Sequence, residues 1–276
     1  TASDWCNSFN VELTSPIGVL IERILTNMKG NYSIDDIIKE VKKDNKSETN
    51  IKNAVENRFL AANSWGLFDI EGTKIKDIVK GGQVSILDIS CYTEWNIKCL
   101  VVILLSKKML MERIDARKAE ELNLIEEGQH YFNIEKKRKL DMPLVWMMID
   151  EAHEFLPREG KTPATDALVL LLREGRQPGI SLVLATQQPG EIHRDVLTQS
   201  DIVFSHRVTS ELDIKALNSI MQTYLTEDII SYMNNLPRIK GSAIILDDNS
   251  ERIYPMKIRP KMSWHGGDTP SAIREK

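Results

Sequence analysis

Two short apolar runs constrain what this chain can fold into more than any other feature. The first, PLVWMMID at 143–150, and the second, ISLVLATQ at 180–187, have strand length and close on polar side chains. Between them, PATDALVLLLREGRQPG (163–179) carries apolar residues at helical spacing and is closed by Pro178-Gly179. The same alternation extends outward. GGQVSILDIS (81–90) reads as a turn followed by a buried strand. A helix is expected over roughly 94–113 with a charged extension to about 139, a fourth strand at DIVFSHRV (201–208), and a helix at ELDIKALNSIM (211–221). GSAIILDD and ERIYPMKI (241–258) read as a terminal hairpin turning at DDNS. Strands alternating with helices predict an α/β fold, a parallel sheet covered by helices on both faces.

The first part of the chain follows a different pattern. SPIGVLIERILTNM places Ile17, Leu20, Ile21, Ile24, Leu25 and Met28 at helical spacing, and Ser33 opens a second helix with Asp36 three positions on. SETNIKNAVENRFLAANSWGLF puts Ile51, Val55, Phe59 and Leu60 on one face and stops at Gly66. The expected organisation is therefore an N-terminal joining segment at 1–14, a helical subdomain at 15–80, an α/β core at 81–258 and a tail at 259–276.

With 276 residues there is enough chain for a large domain and a smaller one, and the 42 % apolar content is ordinary for a globular protein. CLVVILL (99–105) is far shorter than the ~20 apolar residues of a bilayer span, so no membrane association is expected. The three cysteines form no C-x-x-C pair and read as reduced thiols of a cytoplasmic protein. A net charge of −4 excludes a generally basic nucleic-acid surface and leaves room for a local basic loop or a pore lined by several subunits. The first residue is not Met, and the start has no basic region leading into an apolar one.

In open α/β sheets, ligands sit beyond the carboxyl ends of the strands. Asp150 and Glu151 close the first apolar run. A carboxylate there can hold the water shell of Mg²⁺, which keeps most of its waters, while its neighbour orients or deprotonates an attacking water. Thr186, Gln187 and Gln188 close the second run, where a polar side chain can sense a γ-phosphate. Arg173 and Arg176 lie three apart on one helical face, and an arginine fork suits phosphate. Arg207 is a weaker third candidate. His153 has no partner at metal-ligating spacing and reads as a capping or packing residue. A phosphate-cradling loop would read G-x-x-x-x-G-K-[ST]. Gly160-Lys161-Thr162 is the one Gly-Lys-Ser/Thr in the chain, but Phe155 stands where the first glycine is required, and the segment reads as a surface loop.

These residues resemble a family. VWMMIDEAHEFLP, followed by ALVLLLREGRQPGISLVLATQQPGEIHRDVLTQSDIVFSHRVTSELDIKAL, looks like the HerA branch of the HerA–FtsK motor ATPases over about 141–258, and GLFDIEGTKIKDIVKGGQVSILDIS is similar to that family's link from a helical insertion to the next core strand. The resemblance implies a RecA-like P-loop ATPase core with a helical insertion. It implies an ATP-driven translocase or helicase that uses ATP and Mg²⁺ and works as a homo-oligomer, usually a hexamer, with double-stranded DNA in a ring pore. It also implies roles in DNA repair and a nuclease partner such as NurA. Asp150 then corresponds to the magnesium-associated aspartate of the Walker B strand, Glu151 to the catalytic glutamate and Gln187 to the sensor. Arg173 or Arg176 lies where an arginine finger is expected. The family's β-barrel and Walker A loop have no counterpart here, so the expectation is a fragment of a longer protein that is inactive alone. Two rivals remain. One is a winged-helix-like nucleic-acid module reading DNA with 47–65, which carries Lys52 and Arg58. The other is a non-hydrolysing structural subunit of an ATPase ring.

Overall fold

The computed structural model describes residues 1–69, 71–129, 142–221, 229–250 and 252–263. The chain divides into two units, one of residues 1–187 and 191–196, the other of 188–190 and 197 onward.

The first unit begins with four helices: α1 (Ala2–Ser8), α2 (Pro16–Asn27), α3 (Ile34–Lys43) and α4 (Thr49–Asn63). Their starts follow local chemistry. The Ser15 hydroxyl accepts from the Gly18 amide with Pro16 at the first helical position, and Ser33 and Asp36 form a reciprocal capping box. Leu20, Ile21, Ile37, Val41, Val55 and Phe59 are buried together, with Trp5 and Phe9 of the α1 region packed on Phe59. Residues 1–14, expected to be a joining segment, thus contribute to the helical core itself. Cys6 is part of that core. Lys107 reaches back to the buried Asp4, a link between this bundle and the next helix.

After the short helix α5 (Ile75–Ile78) the chain runs through 82–90 without forming the expected strand. Val84 is 87 % and Ile86 89 % exposed. A strand exists only through its neighbour's hydrogen bonds, and none of the described residues pairs with this segment. Then comes α6 (Trp95–Gln129), 35 residues long; the rest of the charged extension expected to about 139 lies outside the described residues.

β1 (Val145–Ile149), α7 (Thr165–Glu174) and β2 (Ile180–Leu184) form the expected crossover, with the two strands parallel in register Val145↔Ile180 to Ile149↔Leu184. Val145 and Ile180 are buried against Ile75, Met109, Leu110 and Leu171, so α5, α6 and α7 cover one face of the pair. On the opposite face Trp146 is 69 % and Met148 71 % exposed among the described residues. The expected cover on both faces is met on one. α6 also supplies Arg113, which is fully buried. Its Nε donates to the Pro178 carbonyl at 2.7 Å and its Nη1 to the Met142 carbonyl at 2.6 Å, clamping the approaches to β2 and β1 together. Gly179, at φ 91°, makes the turn into β2; a Cβ there would stand 2.4 Å from the Leu144 side chain. The short helix α8 (Arg194–Thr198) follows β2.

The second unit holds β3 (Ile202–His206), α9 (Glu211–Met221), α10 (Ile229–Asn235), β4 (Ser242–Asp247) and β5 (Arg252–Lys257). The hairpin β4–β5 forms where expected. β3, expected beside the parallel strands, instead pairs antiparallel with β4, in register Ile202↔Asp247 to His206↔Ala243. Leu217, Ile229 and Met233 pack with Ile244, Leu246 and Ile253 as its own core. The fold is α/β, with a parallel pair flanked by helices.

Candidate active site

The ladder of the parallel pair continues past its strand ends. The Ala185 amide donates to the Ile149 carbonyl at 2.9 Å, and the Ala152 amide to the Ala185 carbonyl at 2.8 Å. This brings Asp150–Glu151 alongside Thr186–Gln187, two polar strand ends that are 36 residues apart in sequence at Glu151 and Gln187. Gln187 Nε2 donates to Glu151 Oε1 at 2.5 Å. Glu151 Oε2 is shielded from solvent and makes no hydrogen bond within the chain.

Glu151 is also in a strained conformation, φ 47° and ψ 46° in the left-handed region that non-glycine residues avoid. The kink ends β1 and starts a 3₁₀ turn over Ala152–Glu154, held by the Glu154 amide on the Glu151 carbonyl at 2.9 Å. Asp150 is exposed, and its Oδ1 accepts from the Glu151 amide at 3.0 Å. No group of three ligand side chains that could hold a metal directly occurs among the described residues.

The arginines differ. Arg173, in the last turn of α7, places Nε 3.0 Å from Asp195 Oδ2, with Nη2 closing the fork on the same oxygen at 2.5 Å. Its guanidinium is engaged within its own chain. Arg176 lies in the exposed turn between α7 and β2, on the stretch whose Pro178 carbonyl is clamped by Arg113. Arg207 directly follows β3, in the second unit.

Gly160-Lys161-Thr162 is bonded within its own loop and to the start of α7. Lys161 Nζ pairs with Asp166 at 2.8 Å, and the Thr162 and Thr165 hydroxyls both donate to the Phe155 carbonyl. The helix expected to imitate a recognition helix, α4, uses Lys52 Nζ to bind the Lys42 and Asp44 carbonyls and Arg58 to bind the Ala54 carbonyl. No wing strand follows it among the described residues.

Two contacts escaped the sequence. His153 was expected to cap or pack, yet its Nδ1 lies 2.9 Å from Thr186 Oγ1. Arg113 carried a usable signal, since a cation four and three positions after the apolar Met109 and Leu110 falls on the face of α6 that turns inward.

Comparison with known proteins finds DNA repair helicases among the relatives. The DNA double-strand break repair helicase HerA of Sulfurisphaera tokodaii is 25 % identical over 244 residues, 88 % of this chain and 44 % of the relative. The chain is HerA-like. The HerA of Pyrococcus furiosus is 26 % identical over 65 % of this chain and 34 % of its own, so the chain spans under half the length of these HerA relatives. A probable helicase of Methanocaldococcus jannaschii is 31 % identical over 41 % of this chain and 21 % of its own. No family model matches. Among solved structures, the genome packaging NTPase of Sulfolobus turreted icosahedral virus 2, in complex with AMP, aligns over 41 % of this chain and 52 % of its own at 23 % identity and a TM-score of 0.35. No helix of the described residues is long and apolar enough to cross a membrane.

Proposed function

We propose that this HerA-like chain carries the water-activating half of an ATP-driven DNA translocase with a RecA-like core. The observation that carries the proposal is the Gln187–Glu151 hydrogen bond at the carboxyl end of a parallel strand pair, with Asp150 beside it. Glu151 accepts the proton of a water whose oxygen attacks the γ-phosphorus of ATP, and the bond to the β–γ bridging oxygen breaks to release ADP. One carboxylate oxygen is anchored by Gln187, and the other has no hydrogen bond to the described residues, with His153 Nδ1 3.6 Å away. Gln187 links the base to the strand next door, so a change at the γ-phosphate reaches β2. Asp150 would hold Mg²⁺ through its waters, which would neutralise charge on the phosphates. The DNA, the ring and its hexameric order belong to the same proposal, supported by the HerA likeness.

An arginine from a neighbouring subunit would stabilise the transferring phosphoryl group. Arg173 and Arg176 are both candidates, and Arg176 is favoured because the Pro178-Gly179 turn holds it near the strand leading to Gln187. In rings mixed from an Arg176→Ala subunit and a Glu151→Gln subunit, each inactive alone, activity is expected to return, because some interfaces pair an intact glutamate with an intact arginine. Verified mixed rings that stay inactive would place Arg176 outside the trans role.

The central test is turnover in the protein that joins this chain to a nucleotide-holding segment. Glu151→Gln is expected to lower kcat by ~10²–10⁴-fold while ATP stays bound, since the amide keeps the shape and loses the base. Asp150→Asn is expected instead to weaken the magnesium complex, so that more Mg²⁺ is needed for half-maximal turnover. Near-normal turnover with Glu151→Gln would move water activation to another residue. The chain by itself, whose one Gly-Lys-Thr is tied down by its neighbours, is expected to show no micromolar binding of Mg-ATP in calorimetry.

A further inference from the structure

The two oxygens of the Glu151 carboxylate are held unequally. Oε1 is anchored by Gln187; Oε2 has no hydrogen bond within the chain, and the polar atom beside it is His153 Nδ1 at 3.6 Å. That separation exceeds a hydrogen bond, so the attraction is electrostatic. The same nitrogen lies 2.9 Å from Thr186 Oγ1, within hydrogen-bond distance. If Nδ1 were the acceptor, its lone pair would face the same side as the carboxylate. With Nδ1–H donating to Thr186, its positive edge faces Oε2. The ring is 15 % exposed and sits on the 3₁₀ turn whose first amide is fastened to Ala185. It is therefore held from both strand ends at once: its backbone follows β1, and its side chain is fixed by β2.

We infer that His153 is a positioning residue for Glu151: with its Nδ1–H donated to the Thr186 hydroxyl, it turns the positive edge of its ring to the carboxylate and keeps Oε2 in place while Gln187 holds Oε1. This rests on the role proposed for Glu151. It adds a second strut from the β2 end, Thr186–His153, beside the Gln187 strut. Both hold the strained Glu151 backbone and its side chain in one arrangement.

Steady-state ATPase of the protein joining this chain to its nucleotide-holding segment tests it, with folding checked by thermal melts. His153→Ala is expected to lower kcat by ~10–100-fold, the usual scale for a group that orients another, with KM for ATP within about twofold of wild type. His153→Asn places an amide N–H near the position of Nδ1 and is expected to recover most of the loss, and Thr186→Val to repeat it. In a Glu151→Gln background, His153→Ala is expected to cost nothing further, because the group it positions is already gone. Three results would overturn the inference: unchanged kcat in His153→Ala, an Asn variant no better than Ala, or additive losses with Glu151→Gln. If His153→Ala does not fold, the Asn and Thr186 variants decide by the same criteria. Inactive Glu151→Gln beside fully active His153→Ala would sink this inference alone. A wild-type protein without ATPase activity, or an active Glu151→Gln, would remove the reading beneath it as well.

Discussion

Glu151 accepts a backbone cost to end a strand and turn its carboxylate toward Gln187. A non-glycine residue at φ 47° is disfavoured by about 1 kcal/mol or more. Glu151→Gly should relieve that strain, offset by the greater freedom glycine gives the unfolded chain. The expected outcome is a chain as stable as wild type or stabilised by up to about 1 kcal/mol, measured by urea denaturation, in a protein that no longer hydrolyses ATP. A loss of more than about 1 kcal/mol would mean that the Gln187 bond contributes more to folding than the kink costs. Stability and chemistry thus make different demands on Glu151, and the site is where they conflict.

At the scale of elements, two ionic contacts tie α6 to what surrounds it. Arg113 is buried completely and serves two carbonyls that would otherwise lack a donor, with Glu120 also on Nη1 at 3.1 Å. Arg113→Leu should destabilise by about 3 kcal/mol in chemical denaturation, since it strands buried acceptors and the Glu120 charge. Asp4 is the second contact. Burial pushes its carboxyl upward, but hydrogen bonds from Lys107 and the Thr1 hydroxyl outweigh this and bring it down. A depressed carboxylate contributes stability above its unfolded pKa, ordinarily 3.8, and loses it as pH falls toward about 2. Asp4→Asn should therefore cost about 2 kcal/mol at pH 7, the scale of a charged hydrogen bond. The gap to wild type should narrow below pH 4 and close near pH 2. A gap that persisted at pH 2 would mean the loss comes from packing rather than charge.

At the scale of the molecule, the described residues cover the parallel pair on one face. Trp146, Met148 and Val183 alternate with buried neighbours and face outward, as strands buried on both sides would present them to a second layer. Met148→Ser and Trp146→Ser should leave the stability of this chain within about 0.5 kcal/mol, because they touch little here. They should also reduce its binding of an apolar dye. A loss of several kcal/mol in melts would show that the face is covered within the chain itself.

The sequence by itself determined the βαβ crossover, because apolar runs of strand length ending in Asp150-Glu151 and Thr186-Gln187 around one amphipathic helix allow little else. Capping at Ser15 and Ser33 and the β4–β5 hairpin were legible for the same reason: their signals are local, a side chain bonding an amide three residues away or a polar turn between two alternating runs. Only the tertiary structure decided the rest. VSILDIS has strand composition, yet residues 84–89 form no strand, because composition cannot supply a hydrogen-bonding neighbour. β3 has the same kind of pattern and does form a strand, but beside β4 and antiparallel, since partner choice depends on residues about 40 positions away. The pairing of Gln187 with Glu151 and of Thr186 with His153 was likewise out of reach of spacing rules. It depends on the register of two strands, and a shift of one residue would turn all four side chains to other faces.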